Sequence, residues 1–128
     1  MKKNIEVEIC TFSLESCVNA QLAGASRVEL CSGMYDGGTT PSAAMIRMAR
    51  EKLSIELYVM IRPRGGDFLY SDLEFELMKE DILYARSCNA DGVVFGILKA
   101  DGSVDVERTK ELVEWAAPMK VTFHRAID

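Results

Sequence analysis

The chain has 128 residues, 48% of them hydrophobic and 27% charged, a balance that predicts one globular domain over residues 1–128 with a real core. A formal net charge of −5 with no lysine/arginine cluster excludes a general nucleic-acid binder. No apolar run approaches a membrane span, and although Met1-Lys2-Lys3 resembles the start of a signal peptide, Glu6 and Glu8 interrupt any apolar continuation.

Strand and helix patterns alternate along the whole length. Residues 5–10 read as a strand, and 14–23 as a short helix capped by Ser13 and ended by Gly24. A second strand covers 27–31. Residues 33–40 form a glycine-bearing loop, and Pro41 or Ser42 opens a helix running to about Lys52. The third strand, 55–62, runs into Arg62-Pro63-Arg64-Gly65-Gly66-Asp67-Phe68. Two arginines and a glycine pair at the end of a buried strand are what α/β proteins use to build sites. Ser71 or Asp72 then caps a long helix to about Ser87. A fourth strand covers 92–98, Asp101-Gly102 turns, a helix runs from Asp105 to near Ala117, and Pro118 stops it. A fifth strand over 120–124 ends on His124, the single histidine.

This β-α order implies a parallel sheet with right-handed crossovers. No G-x-G-x-x-G follows the first strand, which weakens a dinucleotide-binding open sheet, and no organic cofactor is predicted. Side chains alternate faces along a strand. One face collects Val7, Ile9, Val28, Leu30, Leu57, Val59, Ile61, Val93, Phe95, Ile97, Val121 and Phe123. The other collects Glu6, Glu8, Cys10, Arg27, Glu29, Cys31, Glu56, Tyr58, Met60, Arg62, Val94, Gly96, Lys120, Thr122 and His124. A doubly wound sheet needs both faces apolar. One apolar and one polar face predicts the α/β (β/α)8 barrel type, here a partial barrel of about five strands and four helices, with its chemistry at the C-terminal strand ends.

Several candidate residues follow. Glu8 and Glu29 are read as neighbouring carboxylates able to move protons, or as ion-pair partners of Arg27, Arg62 or Arg64. Arg62 and Arg64 suit bidentate capture of a carboxylate or phosphate, or a clamp on Glu8, Glu29 or Asp67. His124 stands where a general base or ligand would, or is structural. Arg125 lies on the opposite parity and is expected to pack toward the helices; Asp128 bends back to the mouth or frays. Cys10, Cys17, Cys31 and Cys88 include no C-x-x-C pair and are expected as reduced thiols in the cytoplasm. Cys10 and Cys31 share a face on neighbouring strands and suit Cu(I), or are small buried residues. Cys17, Cys88, Met45, Met48 and Met78 read as helix packing.

Glu8-Ile9-Cys10, Arg27-Val28-Glu29-Leu30-Cys31, Gly37-Gly38-Thr39-Thr40-Pro41-Ser42, Ile61-Arg62-Pro63-Arg64-Gly65-Gly66-Asp67-Phe68, Tyr70-Ser71-Asp72, Asp91-Gly92, Asp101-Gly102 and Val121-Thr122-Phe123-His124-Arg125-Ala126 together resemble the N-terminal half of the CutC family of copper-homeostasis (β/α)8 barrel proteins. The resemblance covers essentially the whole chain. It implies cytoplasmic copper handling, for which Cys10 and Cys31, brought together by strand parity, are the candidate Cu(I) donors. The residues alone leave open an enzyme acting on a small anionic metabolite, with Arg62 and Arg64 holding the anion and Glu8, Glu29 and His124 moving protons. Eight strands need roughly 250 residues. Five leave two open sheet edges, so the chain is expected to form a homo-oligomer or to be a fragment of a longer protein. Its partners are expected to be a small ligand or a copper ion, with no nucleic acid and no membrane.

Overall fold

The computed structural model describes residues 5–128, and Met1-Lys2-Lys3 lies outside the described residues. Each helix starts at a side chain that can accept a free backbone N–H. Ser13 accepts from Ser16 at the head of α1 (Leu14–Leu22). Ser42 does the same for Met45 at α2 (Ala43–Lys52). Ser71 and Glu74 form a reciprocal capping box on α3 (Asp72–Ser87). Asp105 accepts from Arg108 at α4 (Val106–Ala116).

The strands are β1 (Glu8–Thr11), β2 (Arg27–Leu30), β3 (Glu56–Met60), β4 (Gly92–Phe95) and β5 (Lys120–Phe123). They form one parallel sheet in the order β1-β2-β3-β4-β5. Every strand lies beside its successor, so the order never reverses as it does in a doubly wound sheet. This is the winding of a (β/α) barrel, with all the connecting helices on one side.

The two faces divide as strand alternation requires. Val28, Leu30, Leu57, Val59, Ile61, Val93, Phe95 and Ile97 are fully buried in the main core, together with Ile46, Met78, Ile82 and Leu112 of the helices. On the other face Cys31, Tyr58, Met60 and Val94 make a second, small cluster, with Phe12 packed against it.

The strands are shorter than expected. β1 begins at Glu8, not residue 5, and β3 spans 56–60, not 55–62. Pairing ends where the chain turns into loops that carry their own bonds. Ile9 pairs with Val28 on the helix face, yet remains 38% exposed because β1 has a strand neighbour on one side only among the described residues. The loop over 33–40 is not irregular. It holds a 3-10 turn, Met34–Asp36, and is closed by paired bonds between Ser32 and Thr39.

Candidate functional site

The C-terminal strand ends carry two adjoining groups of residues. The first is a thiol–carboxylate cluster. Cys10 near the end of β1 and Cys31 just beyond β2 bring their Sγ atoms to 3.9 Å. Glu29 Oε1 lies 3.5 Å from the Cys31 Sγ and 4.0 Å from the Cys10 Sγ. One ligand atom from each of the three falls within 4.8 Å of the others. The loop over 33–40 folds over Cys31. Gly38 takes φ 105°, a conformation that suits glycine, and a Cβ there would be in ordinary van der Waals contact with the Cys31 Sγ at 3.4 Å.

All three groups of this cluster are shifted the same way, upward. Burial pushes the Glu29 carboxyl up, and the nearby Glu8 adds to it, against opposing contributions from Cys31 and Arg27. Burial and Glu29 push the Cys10 thiol up. Burial, Cys10 and Glu29 push Cys31 up strongly. Three groups that each resist carrying negative charge in one another's company are what a cation would relieve. Cys10 is exposed while Cys31 is 1% exposed, so one donor is open to solvent and the other is fixed in packing.

The second group lines a cleft of about 190 Å³ formed by Glu29, Gly37, Met60, Arg62, Phe68, His124 and Arg125. Arg62 lies two residues beyond β3 and is 7% exposed. Its Nη1 donates to the carbonyls of Asp36 and Gly38, and its Nη2 to that of Gly66 at 2.8 Å. His124 caps the 3-10 turn Arg125–Ile127, its Nδ1 accepting from Ala126 N–H at 3.2 Å. Burial, with Arg62 adding to it, holds the imidazole down at about 4, so it is neutral at pH 7. Phe68 joins the two. Its ring centroid is 4.9 Å from that of His124 and 5.0 Å from the Arg62 guanidinium carbon.

Three expectations need correction. Glu8 and Glu29 are not side by side: the register places Glu8 opposite Arg27, and Cys10 opposite Glu29. Glu8 pairs with Arg27 at the N-terminal strand ends, away from the mouth, where Arg27 also reaches Glu56 at 3.9 Å and stacks on Tyr58. Arg64 does not enter the cleft. Its Nε donates to Glu74 at 2.6 Å, and its Nη2 to Asp67 at 3.1 Å and the Leu69 carbonyl at 2.7 Å, so it clamps its own loop to the head of α3. Arg125 does not pack toward the helices. The strand ends at Phe123, the following 3-10 turn resets the alternation, and Arg125 is exposed at the rim of the cleft.

Sequence reasoning missed Phe68 as the aromatic wall and the carbonyls of Asp36 and Gly38 as partners of Arg62. The clustered glycines over 33–38 are the only signal that this loop comes so close.

Among the described residues no helix is long and apolar enough to cross a membrane. The CutC family model matches residues 5–128. A CutC protein of Chromobacterium violaceum is 58% identical over 122 residues, covering 95% of this chain and 49% of the relative. The human copper homeostasis protein cutC homolog is 52% identical over 122 residues, covering 95% of this chain and 45% of the relative. The crystal structure of a Streptococcus agalactiae protein described as a candidate copper homeostasis protein CutC superposes with a TM-score of 0.88 at 41% identity, covering 96% of this chain and 60% of that one. The chain thus spans about half the length of the curated relatives it matches. With the family model matched over residues 5–128 and the fold shared with the Streptococcus agalactiae structure, the chain belongs to the CutC family.

Proposed function

We propose that this chain takes part in copper homeostasis by binding Cu(I) through Cys10 and Cys31, with Glu29 beside them. The observation that carries this reading is the 3.9 Å separation of the two sulfurs with a carboxylate oxygen against both. Two metal–sulfur bonds of about 2.3 Å span that gap. Thiolates are soft donors and select Cu(I). Copper is here the cargo, and the residues fit it: binding releases the two thiol protons, and the ion's single positive charge offsets one of the two thiolate charges so formed. The names of the human and mouse relatives support the same direction.

The enzyme reading is weaker. Two of its five residues fall away from the mouth, Glu8 into an ion pair with Arg27 and Arg64 into the clamp on Glu74.

A Cu(I) competition titration against a chromophoric chelator, under reducing conditions, tests the proposal. Cys31→Ser is expected to weaken binding by more than about 100-fold, because a hydroxyl is a poor partner for a soft ion and even groups that only support a ligand are worth 10- to 100-fold. Cys88→Ser, at the C-cap of α3, should leave the affinity unchanged. Equal affinity in the wild type and the Cys10→Ser/Cys31→Ser double variant would overturn the assignment.

A further inference from the structure

The cleft beside the thiols holds a buried positive charge that no acidic group answers. Arg62 is 7% exposed, and among the described residues it makes no ion pair. Its bonds go to the carbonyls of Asp36, Gly38 and Gly66. Carbonyls satisfy N–H groups, but they leave the net charge uncompensated, and a charge withdrawn from water calls for an opposite one. Glu29 also lines the cleft, but its Oε1 is turned to the thiols of Cys10 and Cys31.

His124 adds a donor. Its Nδ1 accepts from Ala126, so the proton of the neutral ring is on Nε2. That Nε2 is buried and has no hydrogen-bond partner among the described residues. A buried imidazole N–H without an acceptor is uncommon unless a ligand supplies one. Phe68 packs on both groups, holding the guanidinium and the ring in place before anything binds. Arg125 stands exposed at the rim with no ion pair among the described residues, adding a second positive charge at the entrance. At about 190 Å³ the cleft suits a small ion and not a nucleotide or a larger cofactor.

We propose that this cleft binds a small oxyanion group, carboxylate or phosphate, gripped by Arg62 and the Nε2–H of His124 with Arg125 guarding the rim. The anion would sit next to the thiol–carboxylate cluster, sharing with it the Glu29 wall but neither thiol, so the inference stands whether or not the thiols bind copper.

The test is an NMR titration of the ¹⁵N-labelled chain with inorganic phosphate and, separately, with glycolate at constant ionic strength and pH 7. Saturable shifts centred on Gly37, Phe68 and the His124 ring nitrogens are expected, and the tighter of the two probes identifies the headgroup. Arg62→Gln should weaken binding at least about tenfold, since it removes a charge-assisted fork. Arg125→Ala should weaken it a few-fold and reduce its salt dependence, as for an exposed charge. Should Arg62→Gln fail to fold, Arg62→Lys keeps the charge while losing the fork, and weakened binding is again expected. Absence of saturable shifts with either probe up to about 50 mM, far above a millimolar constant, overturns the proposal. So does undiminished affinity in both the Arg62 and the Arg125 variants.

Discussion

Gly96 shows how closely single residues determine the mouth. It follows β4 directly, and an added Cβ would lie 2.5 Å from the Cε1 and 2.8 Å from the Nδ1 of His124. The imidazole therefore rests on bare backbone. Gly96→Ala is expected to destabilise the fold by roughly 1–3 kcal/mol, the cost of overpacking a filled site, and to move the His124 ring signals in an NMR spectrum. A variant with unchanged stability and unchanged ring shifts would contradict that packing. His124 itself sets a pH dependence. Arg62 and Arg125 face it with positive charge, Glu29 shares its cleft, and the ring is held down at about 4 against an unfolded value of about 6.5. Its folded value is depressed, so the unfolded chain binds the extra proton first as pH falls. The stability that neutral His124 contributes is thus complete above about pH 6.5 and is lost progressively toward pH 4. His124→Asn keeps a side-chain acceptor for Ala126 N–H but cannot titrate. Its urea midpoint should fall less than that of the wild type between those two pH values, and parallel curves would refute the assignment.

At the scale of elements, the loop after β3 is tied at both ends by its arginines. Arg62 reaches back to the carbonyls of Asp36 and Gly38 in the loop after β2. Arg64 reaches forward to Glu74, whose carboxyl is held below the usual range by the Ser71 N–H and by Arg64. One loop thereby fixes both the cleft wall and the start of α3. Arg64→Ala should lower the urea midpoint, since it removes the bonds to Glu74, Asp67 and the Leu69 carbonyl while the Ser71 cap stays, and should leave oxyanion shifts at His124 intact. Loss of the shifts in this variant would mean that Arg64 belongs to the cleft after all. This is also where sequence and structure part company. Alternation along the strands correctly separated Val28 and Leu30 from Arg27 and Glu29, because facing depends only on the two-residue repeat. It could not supply the stagger between strands, which is why Glu8 was set beside Glu29 when its partner is Arg27. Nor could it show the path of the glycine loop onto Arg62, or the turn that brings Arg125 to the rim, since both depend on distant contacts and not on local pattern.

On the scale of the whole molecule, β1 and β5 each have one strand neighbour among the described residues. Their free N–H and C=O rows, with the half-covered Ile9 and the exposed Val7 nearby, are a template for further pairing. The 128-residue chain in isolation is expected to self-associate, and its thermal unfolding midpoint should rise with concentration. Sedimentation that shows a monomer, with one sharp transition independent of concentration, would contradict this.

The sequential strand order also governs how the molecule can be made. Each strand joins the one synthesised just before it, so every sheet contact closes a short stretch of chain, and no early strand has to wait for a distant partner. Cys10 and Cys31 are 21 residues apart and need only the first two strands and α1 to meet. The oxyanion cleft needs β5, about a hundred residues later. A nascent chain leaving the ribosome would therefore present its thiol pair long before its second cleft existed, and the two sites would come into being as separate events in time.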